Sequence, residues 1–535
     1  FTKRPSALSW AISASRKSIK PSVLVVMPRL YRMYAMKRID AASAFLLALC
    51  LVGLMAKLSG VPAMSLDEAW IGLMAARLRS LGAYTPHQMN QYTGPLYAWL
   101  VAACFSARDA TLESLRLPGA LLNAAALAGL WLHLRRRVSP EAAMSWVLLC
   151  AGSAYFLMKS RLAWEVYALH PILILGTLAV LARPGGVAGL VALTMLGVQN
   201  HFIYLSIPAS LVVLFGTRAA WRGEKEAEGR LRDSVSALAA GAVLALVKFP
   251  LTDALWVAHR PPLLAALILL PVLAAAAVRR APIEMLLLPF TRARRELSIF
   301  LALTVAAFVV WHLIPLVQIF AGPVVFKRLF SYELPGLLSV PLHAWGLFLA
   351  VLLAWNCVRA WHDESLSFHE RTLLLWPAAF AAVFILIRHT SSLRYYSLPA
   401  LLGTLALSAA LPRLALADKN RVYRCLIAAA FVTQIFLLRE IDAPGDRRPL
   451  NFRVGWRKEN SKDFARKEGL FAAFDGARAC GIAHAERSFT AIPLFFHRAE
   501  APAASCSAAL AFDSDQCPEC AAAPYYRWSV VPAAK

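Results

Sequence analysis

The residues best suited to chemistry gather in a few short polar stretches of a largely apolar chain. The first is Met64-Ser65-Leu66-Asp67-Glu68-Ala69-Trp70. Ser65 followed three residues later by Glu68 is a capping-box pattern, which predicts a helix from Ser65 to about Gly82. With Glu68 spent on the cap, Asp67 stands in the first helical turn. The helix dipole stabilises its carboxylate there. Desolvation by a bound substrate would raise its pKa and make it a general base toward a hydroxyl. The plainer reading is that both acids are favourable charges at a helix start.

A second stretch is Lys159-Ser160-Arg161-Leu162-Ala163-Trp164-Glu165. Arg161 is a planar fork suited to a phosphate, or it pairs with Glu165; both readings stay open. Lys159 is a second cation, or a side chain that snorkels to the surface. A carboxylate just inside an apolar segment, such as Glu165, is a functional hypothesis by default. Further candidates are His201 after Asn200, Lys248 with Asp253, and Arg394-Tyr395 within the run from His389 to Tyr396. A lone His201 is more often structural. Trp70, Tyr92, Trp99 and Trp164 have faces on which sugar rings could stack, although interfacial aromatic belts account for them equally well.

These stretches must be positioned by apolar blocks. Hydrophobic residues make up 59% of the 535 positions, charged residues 16%, and the mean hydropathy is +0.57. Such values exclude an ordinary soluble domain. Hydropathy predicts about thirteen membrane spans between Ala41 and Leu438. They lie near 41–59, 115–134, 140–158, 164–182, 186–201, 203–217, 233–250, 262–278, 297–320, 336–358, 372–388, 395–412 and 425–438. In the first external loop, residues 60–114, Trp70, Met74, Leu78 and Leu81 form an apolar stripe. That helix is expected to lie along the membrane surface, as is a second from Pro95 to Ser106.

The formal charge is +25. Its basic residues sit in short connections between apolar blocks, which argues for the positive-inside rule and against nucleic acid. Arg135-Arg136-Arg137, Arg218 to Arg232, Arg279 to Arg295, Arg359 to Arg371 and Arg413 to Arg424 then face the cytoplasm. The N-terminus is cytoplasmic, and with an odd number of spans the C-terminus is outside. The expected organisation is a basic segment over residues 1–40, a multi-span domain over 41–439 and a small external domain over 440–535. The chain opens on Phe1, and Met27, Met33 and Met36 are expected starts. No cleavage site follows the first apolar block, so that block is expected to be retained.

The tail carries Cys480, Cys506, Cys517 and Cys520. In an oxidising compartment they suggest two disulfides with three pairings open. Cys517-Pro518-Glu519-Cys520 also suits half a zinc site or a redox pair, but no second such motif supports zinc.

Taken together, Asp67-Glu68-Ala69-Trp70, Gln91-Tyr92-Thr93-Gly94-Pro95-Leu96-Tyr97, Leu115-Arg116-Leu117-Pro118 and Ser160 to Glu165 resemble the polytopic C-type (GT-C) glycosyltransferases. The nearest branch is that of protein O-mannosyltransferases and lipid A aminoarabinose transferases. The resemblance covers about residues 40–210; beyond it only topology and Arg394-Tyr395 continue the pattern. It implies a bacterial inner-membrane enzyme that moves a sugar, with inversion, from a polyprenyl-phosphate donor to a lipid, glycan or protein acceptor on the external face. It assigns Asp67 as base or acceptor-orienting group, and Arg161, Lys248 and Arg394 as partners of the departing phosphate. Glu68, Tyr92, Lys159, Glu165, His201 and Tyr395 complete the expected substrate site. Some relatives use a divalent metal between the external loops; Asp67 and Glu165 would suit one, and none is assigned. A transporter or lipid flippase, with polar sites at mid-membrane, is the alternative, and a scaffold whose tail binds partners is a third.

Overall fold

The computed structural model describes residues 21–58, positions 68, 71, 72, 74, 75 and 78, then 93–183, 185–248, 261–321, 336–385 and 393–442. It also describes three short segments at 479–484, 508–512 and 528–532.

A helix stands at each place where hydropathy predicts a span. The first part of the chain folds as α1 (Pro21–Met55), α2 (Leu96–Ala107), α3 (Leu112–Arg137), α4 (Pro140–Gly152), α5 (Ala154–Arg161), α6 (Glu165–Leu181), α7 (Val187–Asn200) and α8 (Ser206–Arg222). It continues as α9 (Lys225–Lys248), α10 (Pro261–Arg279), α11 (Ile283–Arg292), α12 (Arg294–Phe320), α13 (Gly336–His362), α14 (Phe368–Phe384), α15 (Ser397–Ala410) and α16 (Leu416–Asp442). Among the described residues five helical stretches are long and apolar enough to cross a membrane by themselves: 38–55, 112–137, 202–222, 294–320 and 339–362. Two bent pairs raise that number to seven, with α4 and α5 meeting at 78° and α10 and α11 at 76°. α2, α6 and α7 are shorter apolar helices. The chain is thus a mostly helical, multi-pass membrane protein.

The helix ends follow local chemistry. Thr111 and Ser114 form a reciprocal capping box at the start of α3, and Ser367 and Glu370 form another at α14. Ser139 caps α4, with Pro140 in its first turn. Ser153 caps α5 and marks the bend after α4. Gly223 closes α8 in the left-handed conformation at φ 67°.

The apolar core runs continuously through α3, α4, α6, α8, α14 and α15, whereas α12 and α13 bury little of themselves and turn large apolar side chains outward. Outward apolar faces are what hydrocarbon requires. One end of the bundle is laced by ion pairs. Glu224 accepts from Arg218 at 2.6 Å, Arg371 at 2.8 Å and Arg222 at 3.2 Å. Glu370 pairs with Arg413, Glu141 with Lys419 and Asp40 with Arg135. These are the connections that the loop-charge pattern sets apart.

The tail departs from an all-α chain. β1 (Ala479–His484), β2 (Ala508–Phe512) and β3 (Trp528–Pro532) form a sheet of order β1-β2-β3, with β1 parallel and β3 antiparallel to β2. Short apolar runs containing Val, Ile, Phe and Trp suit a pleated surface, and a search for span-length blocks passes over them. Cys480 lies on β1; Cys506, Cys517 and Cys520 lie outside the described residues.

Candidate functional site

The opposite end of the bundle holds the described candidates Glu68, Lys159, Arg161, Glu165, His201 and Tyr395. Its organising feature is the C-terminal end of α1, where the helix leaves carbonyls without intrahelical partners. Two buried arginines satisfy them. Arg161 Nη1 donates to the carbonyls of Gly53 at 2.7 Å and Leu54 at 3.1 Å, and its Nη2 to Ala56 at 2.7 Å and Lys57 at 2.9 Å. Arg116 Nη1 donates to the Leu58 carbonyl at 2.7 Å. Lys57 takes the left-handed conformation at φ 40°, as a residue just past a helix end often does. Cations there also complement the negative end of the helix dipole.

Arg116 faces a second partner. Its Nε and Nη2 donate to the two carboxylate oxygens of Glu68 at 2.8 and 2.9 Å, and neither side chain is exposed. The Ala163 amide also donates to Glu68, at 2.7 Å. Ser65, the expected capping partner of Glu68, lies outside the described residues; the structure shows Glu68 in long-range contacts. It joins the first loop to α3 and to the turn between α5 and α6. This clasp depends on residues 48 and 95 positions away. The predicted loop helix is present at Glu68, Ile71, Met74, Ala75 and Leu78, with Met74 and Leu78 packed on the core. Asp67, Trp70 and Tyr92 lie outside the described residues.

The structure places Arg161 at the end of α1, where its Nη1 and Nη2 together meet four backbone carbonyls. Glu165 is itself buried at the first turn of α6. Lys159 is half-buried among aromatic rings. Its ammonium stands 3.9 Å from the centre of the Tyr167 ring, 5.4 Å from Tyr155 and 5.9 Å from Trp164, and hydrogen-bonds the Tyr167 hydroxyl. Such an aromatic enclosure favours a cation where water is scarce. Lys159 lines a small cavity of about 50 Å³ between α3, α4, α5, α6, α12 and α15, whose polar lining includes Asn123, Ser153, Ser160, Ser397 and Thr404.

His201 and Tyr395 are drawn in by backbone and ring contacts. Thr93 pairs with His201 as an isolated β-bridge, and the Gly94 amide donates to the Asn200 carbonyl at 3.0 Å. The Asn200 side chain donates to the Glu165 carbonyl at 3.1 Å. His201 Nδ1 accepts from the Ile203 amide at 3.1 Å, so this ring caps a short 3-10 turn. Its ring lies 6.4 Å from that of Tyr395, itself buried in the 3-10 turn Leu393–Tyr396. Arg394 is in that turn and Lys248 ends α9; the side chains of both lie outside the described residues.

Sequence reasoning missed several members. His170 stands 6.4 Å from His201 and 5.5 Å from Tyr204 by ring centre, and is fully buried. The Tyr396 hydroxyl hydrogen-bonds His312 Nδ1. Tyr155 and Tyr167 form the box around Lys159. An ionisable residue inside an apolar segment was the available signal for His170 and His312. No local signal marks a tyrosine that will face a lysine. Among the described residues no group of three His, Cys, Asp or Glu side chains is placed to hold a metal.

No family model matches the sequence, and no curated protein matches it. Solved structures similar to it include the oligosaccharyltransferase of Archaeoglobus fulgidus complexed with zinc and sulfate, at 15% identity and a TM-score of 0.47 over 81% of this chain and 55% of that one. A second is ArnT from Cupriavidus metallidurans bound to undecaprenyl phosphate, at 13% identity and a TM-score of 0.40 over 91% of this chain and 97% of that one. A third is the archaeal oligosaccharyltransferase AglB from Archaeoglobus fulgidus with an inhibitory peptide and a dolichol-phosphate, at 15% identity and a TM-score of 0.44 over 82% and 60%. The chain spans little more than half the length of the archaeal enzyme.

Proposed function

We propose that the chain is a membrane glycosyltransferase that moves a sugar from a polyprenyl-phosphate donor to a lipid, glycan or protein acceptor on the external face of a bacterial inner membrane. Thirteen crossings, made by α1, α3, the α4–α5 pair, α6 to α10 and α12 to α16, put the N-terminus in the cytoplasm and the tail outside. α2 and the loop helix then lie at the external interface, and the tail from residue 440 forms the small external domain.

The observation that carries the reading is the buried junction of Glu68, Arg116 and the Ala163 amide. It fastens the segment that follows Asp67 beside the turn holding Lys159 to Glu165. The Thr93–His201 bridge and the His201–Tyr395 contact bring the other two motifs to the same end. Motifs remote in sequence are thereby gathered as a transfer site needs them.

In the reaction, Asp67 takes the proton of the acceptor hydroxyl as its oxygen attacks the anomeric carbon. The bond from that carbon to the phosphate oxygen breaks on the opposite face, which inverts the centre. The polyprenyl phosphate leaves with the electron pair, and a preorganised cation stabilises the charge that develops. Lys159, Lys248 and Arg394 supply cations. Arg161, occupied by the end of α1, keeps that end in place. Glu165, Tyr92 and Tyr395 contribute to the walls of the sugar site, and Glu68 and His201 hold its frame.

The test is sugar transfer by purified protein offered a panel of polyprenyl-phosphate sugars with an acceptor. Release of polyprenyl phosphate is expected. Asp67→Asn is expected to lower it by about 10²- to 10⁴-fold while the protein still inserts and purifies normally. Wild-type-like turnover in Asp67→Asn would remove Asp67 from the chemistry, and no release with any donor would remove the reading.

A further inference from the structure

The elbow between α10 and α12 carries more positive charge than its neighbours neutralise. α11 leaves α10 at 76°. If α10 crosses the membrane, α11 runs nearly in the membrane plane, as interfacial helices do. Its inner face is firmly seated. Ile283, Leu286 and Leu287 pack on the core, and Phe290 is buried. The Phe290 ring lies over Gly216, where an added Cβ would stand 2.2 Å from the ring, and its carbonyl accepts from Trp221 Nε1 at 2.9 Å. With that face fixed, Met285 and Leu288 point outward, 61% and 40% exposed, and Arg292 ends the helix beside them.

Five arginines occupy the elbow, Arg279, Arg280, Arg292, Arg294 and Arg295, against the two acids Glu284 and Glu296. Arg279 pairs with Asp233 at 2.8 Å. Arg280, Arg292, Arg294 and Arg295 are exposed, and among the described residues none of them has an ion-pair partner. Arg294 and Arg295 also open α12, whose N-cap residue Ala293 supplies no side-chain cap. Cations at the positive end of a helix are unfavourable by themselves and leave a place where an anion is wanted.

We propose that this elbow binds anionic phospholipid headgroups. The arginines take the lipid phosphate while Met285 and Leu288 enter the upper acyl region. Guanidinium forks match phosphate oxygens, and the apolar pair beside them matches a lipid and not a free ion. The inference is independent of the transfer reaction.

The test uses the full chain in phosphatidylcholine nanodiscs into which phosphatidylglycerol is titrated. Retained lipid is read by native mass spectrometry and stability by thermal unfolding. Wild type is expected to retain phosphatidylglycerol and to melt higher with it. The combined Arg280→Ala, Arg292→Ala, Arg294→Ala and Arg295→Ala variant is expected to bind it about fivefold more weakly per arginine removed. The matching four-lysine variant is expected to keep most of the binding, because the charge persists. Should the alanine variant fail to fold, wild type in rising salt replaces it, with retention expected to fall as screening grows. Equal retention by wild type and the alanine variant, salt-insensitive retention, or equal stabilisation by inorganic phosphate overturns the proposal.

Discussion

Arg116 is the residue on which the site's geometry turns. It joins the end of α1 to Glu68, and both charges are fully buried. Such a pair adds little net stability over apolar replacements, but removing one member strands the other. Arg116→Ala is therefore expected to destabilise the protein by about 3–5 kcal/mol, seen as a lowered unfolding temperature in detergent. Arg116→Lys keeps the charge and loses the fork, so it should fall between the two. A wild-type melt for Arg116→Ala would mean that Glu68 finds another partner. Lys159 gives a second residue-scale prediction. Lys159→Met retains the apolar stem in its aromatic box and removes the cation. Donor turnover should drop by about 10²-fold or more with little change in thermal stability. An unchanged turnover would assign Lys159 to packing alone.

At the scale of elements, α2 packs on α3 through Tyr97 and Gly119. A Cβ at residue 119 would stand 2.7 Å from the Tyr97 hydroxyl oxygen, so the close approach of these helices requires glycine. Gly119→Ala is expected to cost about 1–3 kcal/mol by overpacking, and the added Tyr97→Phe change should recover part of that loss by removing the oxygen. Additivity in the double variant, measured by thermal unfolding, would show that the two sites do not touch functionally. This seam matters because α2 follows the strand-like segment at Thr93 that pairs with His201.

Across the whole molecule, the two ends of the bundle are chemically distinct. One holds the buried cluster of Glu68, Arg116 and Arg161; the other is the ion-pair lattice around Glu224. Burial pushes the Glu224 carboxyl up, but the Arg218 and Arg371 guanidiniums more than offset this, so it stays below its ordinary 4.5. A carboxyl depressed in the folded state adds stability above its unfolded value, and that stability is lost as pH falls through the folded value. The unfolding temperature should therefore fall in acid below about pH 4.5, and Glu224→Gln should flatten part of that slope. An identical acid profile in the variant would assign the slope to other carboxylates.

The helix positions were legible in the sequence because hydrocarbon imposes a length and a polarity on every crossing, and each predicted span has a helix. The loop helix was legible from Met74 and Leu78 at helical spacing, as was the clustering of basic residues in particular connections. Sequence also brought Lys159, Arg161 and Glu165 to notice, because charge beside an apolar segment is costly. It could not tell what Arg161 or Glu68 would touch. Those partners are backbone carbonyls more than a hundred residues away for Arg161, and Arg116 and an amide in another turn for Glu68. Side-chain type sets what a group is able to bond. Only the packed bundle decides which unsatisfied carbonyl, ring or carboxylate is brought within reach.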